Sequence, residues 1–189
     1  GAGDQDQAQG GSGGPGGGIV MLTIYGTVSG TGTIEADGSN GINTNPTGAA
    51  ASIGQLKGND GAGGGGGGGS IFIHNVNALP NTLTLSAKGG NGGNHNLTVG
   101  SFASPEAAGP GGAGGGGSIA FSSGSPVQNV AGGTAGTTTS PQLTEFTFNG
   151  ATNGASGSSG LSATVYNITA NNTSVCSGSP VSFSVSVIH

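Results

Sequence analysis

The sequence predicts an all-β protein with essentially no α-helix, a Gly-rich, β-helix-like β-solenoid in which short strands alternate with extended polyglycine. Three observations predict it. Glycine accounts for 46 of 189 residues and gathers into tracts. The apolar residues fall into short alternating runs rich in β-branched types. Tract and run then recur together at nearly constant spacing, the mark of a stacked repeat.

The longest tract is Gly61-Ala62 followed by Gly63–Gly69, and it leads into Ser70-Ile71-Phe72-Ile73. Each Gly costs about 1 kcal/mol relative to Ala in a helix, so the tract is not helical. A regular strand is also weakened by Gly, which has no side chain to pack. An extended, polyproline-II-like chain rising about 3.1 Å per residue remains, spanning roughly 28 Å over nine residues. Residues 13–18 stand in the same way before Ile19-Val20-Met21-Leu22, and residues 111–117 before Ser118-Ile119-Ala120-Phe121.

The elements follow in order. Residues 1–18 are a Gln/Asp/Gly leader and the first tract; Asp4 and Asp6 lack the later ligands of a calcium loop. Residues 19–25 read as a strand with Val20, Leu22 and Ile24 on one face and Met21, Thr23 and Tyr25 on the other. A second strand, 33–36, closes on Asp37-Gly38-Ser39-Asn40-Gly41, and a polar loop fills 42–60. The second copy has strands at 70–75 and 82–87 and closes on Lys88-Gly89-Gly90-Asn91-Gly92. The third has strands at 118–121 and 127–131 and closes on Gly132-Gly133-Thr134-Ala135-Gly136. Residues that follow the tracts (Ile19, Ser70, Ser118) step by 51 and 48, and the alanines of an Ala-x-Gly-x-x-Gly element (Ala36, Ala87, Ala131) step by 51 and 44. The copies are about 10–57, 58–108 and 109–150, within a repeat region spanning 1–160.

One such unit cannot bury its own apolar face, because each strand offers two or three inward residues. Stacking lines these into a continuous narrow core. The tracts then stack as well, supplying one another's backbone hydrogen bonds, and a side chain would hold them apart. This packing is expected to rest on Gly16, Gly18, Gly63, Gly66, Gly69, Gly115 and Gly117, with Ile71 and Ile119 in the core. Gly66→Val should therefore damage the fold, while the same change at Gly154 should be tolerated, since 149–160 has the composition of a turn or linker. A further strand is expected at Glu145-Phe146-Thr147-Phe148.

From Leu161 the composition shifts and Gly nearly disappears. Residues 163–169 and 181–187 are strands, the second alternating without a break, and Cys176-Ser177-Gly178 lies between them. Strand, Cys-containing turn and alternating strand is how an Ig-like β-sandwich begins, so 161–189 reads as its first strands or as connecting strands. Such a domain needs about 100 residues, so the polypeptide is expected to continue into further domains. Cys176 is either half of a disulfide with sequence outside these residues or a small buried residue.

Charge narrows the partners. Lys57 and Lys88 are the only cationic side chains against seven carboxylates, giving a net charge of −5. Nothing basic is available to neutralise phosphates, which argues against nucleic acid and against anionic membranes. No apolar run approaches the roughly 20 residues of a membrane helix. No signal peptide is visible, and the start at Gly1 suggests a fragment or processed product.

Two resemblances follow from these residues. Ile168-Thr169-Ala170 through Cys176-Ser177-Gly178-Ser179-Pro180-Val181-Ser182-Phe183 resembles the opening of the Ig-like/PKD-like repeats in very large surface proteins of Bacteroidota. Those proteins are exported by type IX secretion and include gliding-motility adhesins; there the Cys pairs with one near the end of the same domain. Ala87-Lys88-Gly89-Gly90-Asn91-Gly92 and 63–73 are similar to Gly-rich solenoid regions of bacterial surface and autotransporter-type proteins. Phage tail-tip adhesins with packed polyglycine helices share the glycine logic but lack the Ig-like tail. Together the resemblances imply a secreted, cell-surface adhesin or filament segment. Cell-surface glycans or a secretion and motility machinery are the partners they imply.

Chemistry is sparse. His74 and His95 have no Cys or acidic neighbour in sequence, and Glu35, Asp37, Asp60 and Glu106 could meet only across coils. Lyase and hydrolase sites on such folds need Arg or Lys beside the acids, and the chain has almost none. We therefore expect no enzyme, no cofactor and no metal. Phosphate-loop strings are met trivially in a chain so rich in Gly. The Asn-x-Ser/Thr strings at Asn96, Asn167, Asn171 and Asn172 are idle in a bacterial protein. The leading expectation is a non-enzymatic structural or adhesive segment. A glycan- or receptor-binding module using loops 42–57, 94–108 and 137–145 is the alternative, although Phe102 is the only aromatic there. An ice-binding solenoid ranks last, for want of a regular Thr-x-Thr ladder.

Overall fold

A computed structural model describes residues 10–44, 61–96, 109–139, 149–170 and 183–188. Asp4, Asp6, Lys57, Asp60, Phe102, Glu106, Cys176 and the strand expected at 145–148 lie outside the described residues.

The fold is all-β, with no helix among the described residues. Strands β1 (Ile19–Ile24), β3 (Ser70–Asn75), β5 (Ser118–Phe121) and β7 (Ser158–Ser162) form one parallel sheet in that spatial order. Strands β2 (Gly32–Glu35), β4 (Leu83–Ser86) and β6 (Val127–Asn129) form a second, also parallel. Strands β8 (Val165–Ala170) and β9 (Phe183–Ile188) make a separate antiparallel pair, with Val165 opposite Ile188.

The chain therefore goes out along one sheet, turns, and returns along the other. Ile19 pairs with Ser70, and Ser70 with Ser118, so the steps of 51 and 48 read from the sequence are the sheet register. Inward residues alternate as the pleat requires. Ile71, Ile73 and Ile119 of the outgoing sheet, Leu83 and Leu85 of the returning sheet, and Leu79, Ala36 and Ala87 form a single buried cluster. Val20, Ile24 and Ile34 flank it, half-buried, on the side of the first copy. Each fully buried aliphatic side chain contributes about 1.5–3 kcal/mol, and among the described residues this narrow row holds all the large buried aliphatic side chains.

Beyond the strands the layers continue as glycine tracts. Gly11, Gly14 and Gly17 N–H donate to the carbonyls of Gly61, Gly64 and Gly67 at 2.8–3.1 Å. Ala62, Gly65 and Gly68 donate likewise to Gly109, Gly112 and Gly115. Every third residue bonds the neighbouring tract of the same layer, and the next residue bonds the other layer. Gly63, Gly66 and Gly69 donate to Ile42, Ser39 and Ala36 of the returning layer, while Gly90 and Gly93 donate back to Gly66 and Gly63. The descending partner numbers show that the two layers run antiparallel. A Cβ on Gly63, Gly66, Gly69 or Gly117 would collide with the carbonyl of Ser12, Pro15, Gly18 or Gly69. The close approach leaves only glycine at these positions.

Three expectations need correction. First, residues 149–157 are not a linker. Ala113 and Gly116 N–H donate to Thr152 and Ala155 carbonyls at 3.0 and 2.8 Å, and β7 pairs with β5. This is a fourth outgoing segment. Second, Gly154 is not a permissive site, because a Cβ there would strike the Gly114 carbonyl. Third, the third return segment is aligned one residue earlier than its Ala-x-Gly-x-x-Gly string suggests. Thr84 pairs with Val127, a step of 43, so Val130 rather than Ala131 is level with Ala87. That register places Gly133 and Gly136 where a Cβ would meet the Gly90 and Gly93 carbonyls. Contact with the preceding tract fixes the alignment; the alanine does not. The third copy loses its residues in the turn, with five residues between Phe121 and Val127.

Candidate functional site

The two layers turn very different outer faces to the surroundings. In the returning layer the third position of each three-residue turn carries a side chain: Asp37, Asn40 and Asn43, then Lys88, Asn91 and Asn94, then Ala131, Thr134 and Thr137. These side chains form a ladder from coil to coil. Asn40 Oδ1 accepts from Asn91 N–H at 2.8 Å, and Asn43 Oδ1 from Asn94 N–H at 2.7 Å. Asn91 Oδ1 accepts from both Thr134 N–H (2.8 Å) and Thr134 Oγ1 (3.1 Å). Asn94 Oδ1 treats Thr137 in the same way, at 2.9 and 3.2 Å. The backbone donors that no tract can reach are thus satisfied by side chains.

Asp37 opens the ladder. Its Oδ1 accepts from Ser86 Oγ and from Lys88 N–H, both at 2.7 Å, and its Oδ2 lies 3.2 Å from Lys88 Nζ. Burial by itself raises the carboxyl's pKa, but these hydrogen bonds and the Lys88 ammonium outweigh it and hold Asp37 below the ordinary carboxylate value. Every oxygen is committed to holding coils together. Glu35 is exposed on the same face.

The histidines serve the same end. His74 Nδ1 lies 3.0 Å from Ser122 Oγ, which in turn donates to the Ala163 carbonyl at 2.8 Å. Buried His95 has Nδ1 2.8 Å from Thr138 Oγ1 one coil on. Buried Asn75 bridges coils too, its Nδ2 donating to Ser123 O at 2.6 Å and its Oδ1 accepting from Ser122 N–H at 3.1 Å. Among the described residues no three His, Cys, Asp or Glu side chains gather where they could hold a metal ion. No helix among them is long and apolar enough to cross a membrane.

The outgoing layer is bare by comparison. Its third positions are Gly13 and Gly16, Gly64 and Gly67, and Gly112 and Gly115, followed by Thr152 and Ala155. Here a Cβ would stand only in ordinary contact, 3.5–3.9 Å from the nearest carbonyl. At Gly18 it would meet nothing within 4 Å. Of the glycines expected to carry the packing, Gly63, Gly66, Gly69 and Gly117 are therefore crowded, whereas Gly16, Gly18 and Gly115 are not. The bare face merges with a cross-strand row of Met21, Phe72, Ala120 and Leu161, of which Met21 is 72% exposed.

The Asn ladder was missed by sequence reasoning, although it left a signal. Asp37-x-x-Asn40-x-x-Asn43 recurs 51 residues later as Lys88-x-x-Asn91-x-x-Asn94, with the three-residue period of the tracts. Comparison with protein-family models, with curated proteins and with solved structures finds no match to this chain.

Proposed function

We propose that the chain is a non-enzymatic structural or adhesive segment of a secreted cell-surface protein, built as a β-solenoid whose coils are half strand and half polyproline-II-like glycine. The three-residue hydrogen-bond period is that of polyproline II, which supports the extended form. Antiparallel pairing of β8 with β9 supports the start of a further β-domain. The observation that carries the functional reading is where the polar groups go. Asp37, Lys88, His74, His95 and the Asn ladder are all joined from one coil to the next, leaving a rod held by its own backbone. The resemblance of residues 168–183 to repeats of Bacteroidota surface proteins supports export by type IX secretion, and glycans or the motility machinery as partners.

An antibody against residues 10–162 tests the location. It is expected to label intact cells of the source organism and to lose its target when those cells are shaved with protease. Label confined to the cytoplasm would overturn the reading. Turnover of any glycoside, polysaccharide or ester by the purified chain would do so as well. Strong, selective signals on a glycan array would move the assignment from stalk to binding tip, and thermal hysteresis would move it to an ice binder.

A further inference from the structure

The outgoing layer's outer face holds an unspent hydrogen-bonding lattice. Tract 61–69 touches four neighbours, the tracts at 10–18 and 109–117 beside it and two returning tracts below. Hexagonal packing of extended chains allows six, and the two open places both lie on the outer side. Among the described residues, the N–H groups of Gly64, Gly67, Gly112 and Gly115 reach no acceptor, and the carbonyls of Gly65 and Gly68 receive no donor. In the returning layer the equivalent N–H groups of Lys88, Asn91 and Asn94 are capped by Asp37, Asn40 and Asn43. Nothing steric prevents the same capping on the outgoing side, since a Cβ fits at Gly13, Gly16, Gly64 and Gly67, the positions that would carry it. Thr152 and Ala155 occupy the matching places in the last tract.

We propose that this face is a self-association surface, and that its occupant is the same face of a second copy of this chain. Three features select that occupant. A layer with a free N–H and a free C=O in every three residues is complementary to another polyglycine layer, as the two layers of one molecule already are. The described outgoing segments hold no Asp, Glu, Lys or Arg, whereas Glu35, Asp37 and Lys88 all lie on the returning layer. Two copies therefore meet on this side without like-charge repulsion, despite the net charge of −5. The row of Met21, Phe72, Ala120 and Leu161 supplies an apolar margin, with Ile19 77% exposed beside it. A two-fold axis lying in the face along the tracts sets glycine on glycine and this row on its copy. Four adjacent chains about 4.8 Å apart and about 45 Å long give roughly 850 Å² per copy, the size of a standard stable interface.

Sedimentation of the whole chain from micromolar to sub-millimolar concentration tests the proposal. A reversible monomer–dimer equilibrium is expected, and a monomer throughout overturns it. Gly67→Asp and Gly115→Asp should weaken dimerisation by about tenfold or more, as a buried like charge requires. Asn43→Asp, which adds the same charge to the opposite face and keeps the acceptor oxygen, should leave it unchanged. Equal effects of all three variants would overturn the assignment of the face. Amide exchange of the parent gives a reading that needs no variant: Gly64, Gly67, Gly112 and Gly115 N–H should slow with rising concentration, and concentration-independent rapid exchange counts against the face.

Discussion

Tract 61–69 and tract 149–157 occupy equivalent places in the second and fourth coils yet look unrelated: glycine throughout apart from one alanine, against Asn-Gly-Ala-Thr-Asn-Gly-Ala-Ser-Gly. The difference lies in the number of neighbours. The inner tract has a chain on either side and a layer beneath, so two of every three positions are closed to a side chain. In the last tract only Gly154 and Gly157 meet a carbonyl of the tract at 109–117; Gly150 is held by a left-handed φ of 85°, and the other positions take Asn, Thr, Ala and Ser. The first tract shows the same rule from the other edge. Ser12 and Pro15 sit where Gly63 and Gly66 sit one coil later, and among the described residues no tract lies against that side of them. Glycine content thus counts neighbours and does not measure flexibility.

Substitution at crowded positions should break the comparison most severely. Gly66→Val and Gly154→Val drive a Cβ into the carbonyls of Pro15 and Gly114. We expect each to cost on the order of 3 kcal/mol or more, a fall of roughly 6–12 °C in the melting temperature. A Gly154→Val protein that melts with the parent would end the neighbour-counting account. Next comes the ladder. Asn91→Ala removes the acceptor of Thr134 N–H and should cost about 0.5–1 kcal/mol by chemical denaturation, since water replaces the bond on this exposed face. Asn91→Asp, retaining the oxygen, should recover most of it.

A finer test sets one position against its counterpart in the next coil. Gly69→Ala meets the Gly18 carbonyl and should destabilise, whereas Gly18→Ala meets nothing within 4 Å. Gly18→Ala should gain about 0.4–1 kcal/mol by restricting the unfolded chain. Opposite signs in a pair of thermal melts are the expected result. The smallest effect is that of pH. Because the folded pKa of Asp37 is lowered, its contribution is present above the unfolded value of about 3.9 and is lost as pH falls through the folded pKa. In chemical denaturation across pH, Asp37→Asn should be slightly less stable than the parent at neutral pH and should converge with it in acid, flattening that limb.

Much of this was legible in the sequence because backbone packing writes itself directly into composition. Tracts 13–18, 61–69 and 111–117, the strands behind them and the 51-residue step all follow from where side chains are excluded. The fourth coil escaped because an edge tract needs glycine at one position in three, and Gly154 and Gly157 alone do not look like a tract. Val130 escaped because an Ala-based string had no way to show which carbonyl a glycine must face. The ladder at Asn40, Asn43, Asn91 and Asn94 was visible only once three, and not two or 3.6, was known to be the local period.

The parallel stacking of coils also decides how the molecule yields to load. Hydrogen bonds join residues 51, 48 and 40 apart in the chain, and each coil adheres mainly to the next. A pull through the two ends therefore opens an outermost coil first, because it is held from one side only, while each inner coil is held from both. Each coil released lengthens the chain by about 3.3–3.6 Å per residue, roughly 140 Å for the shortest step and 175 Å for the longest. A surface protein built on this plan would give way by paying out line in coil-sized increments, keeping the unpeeled remainder stiff.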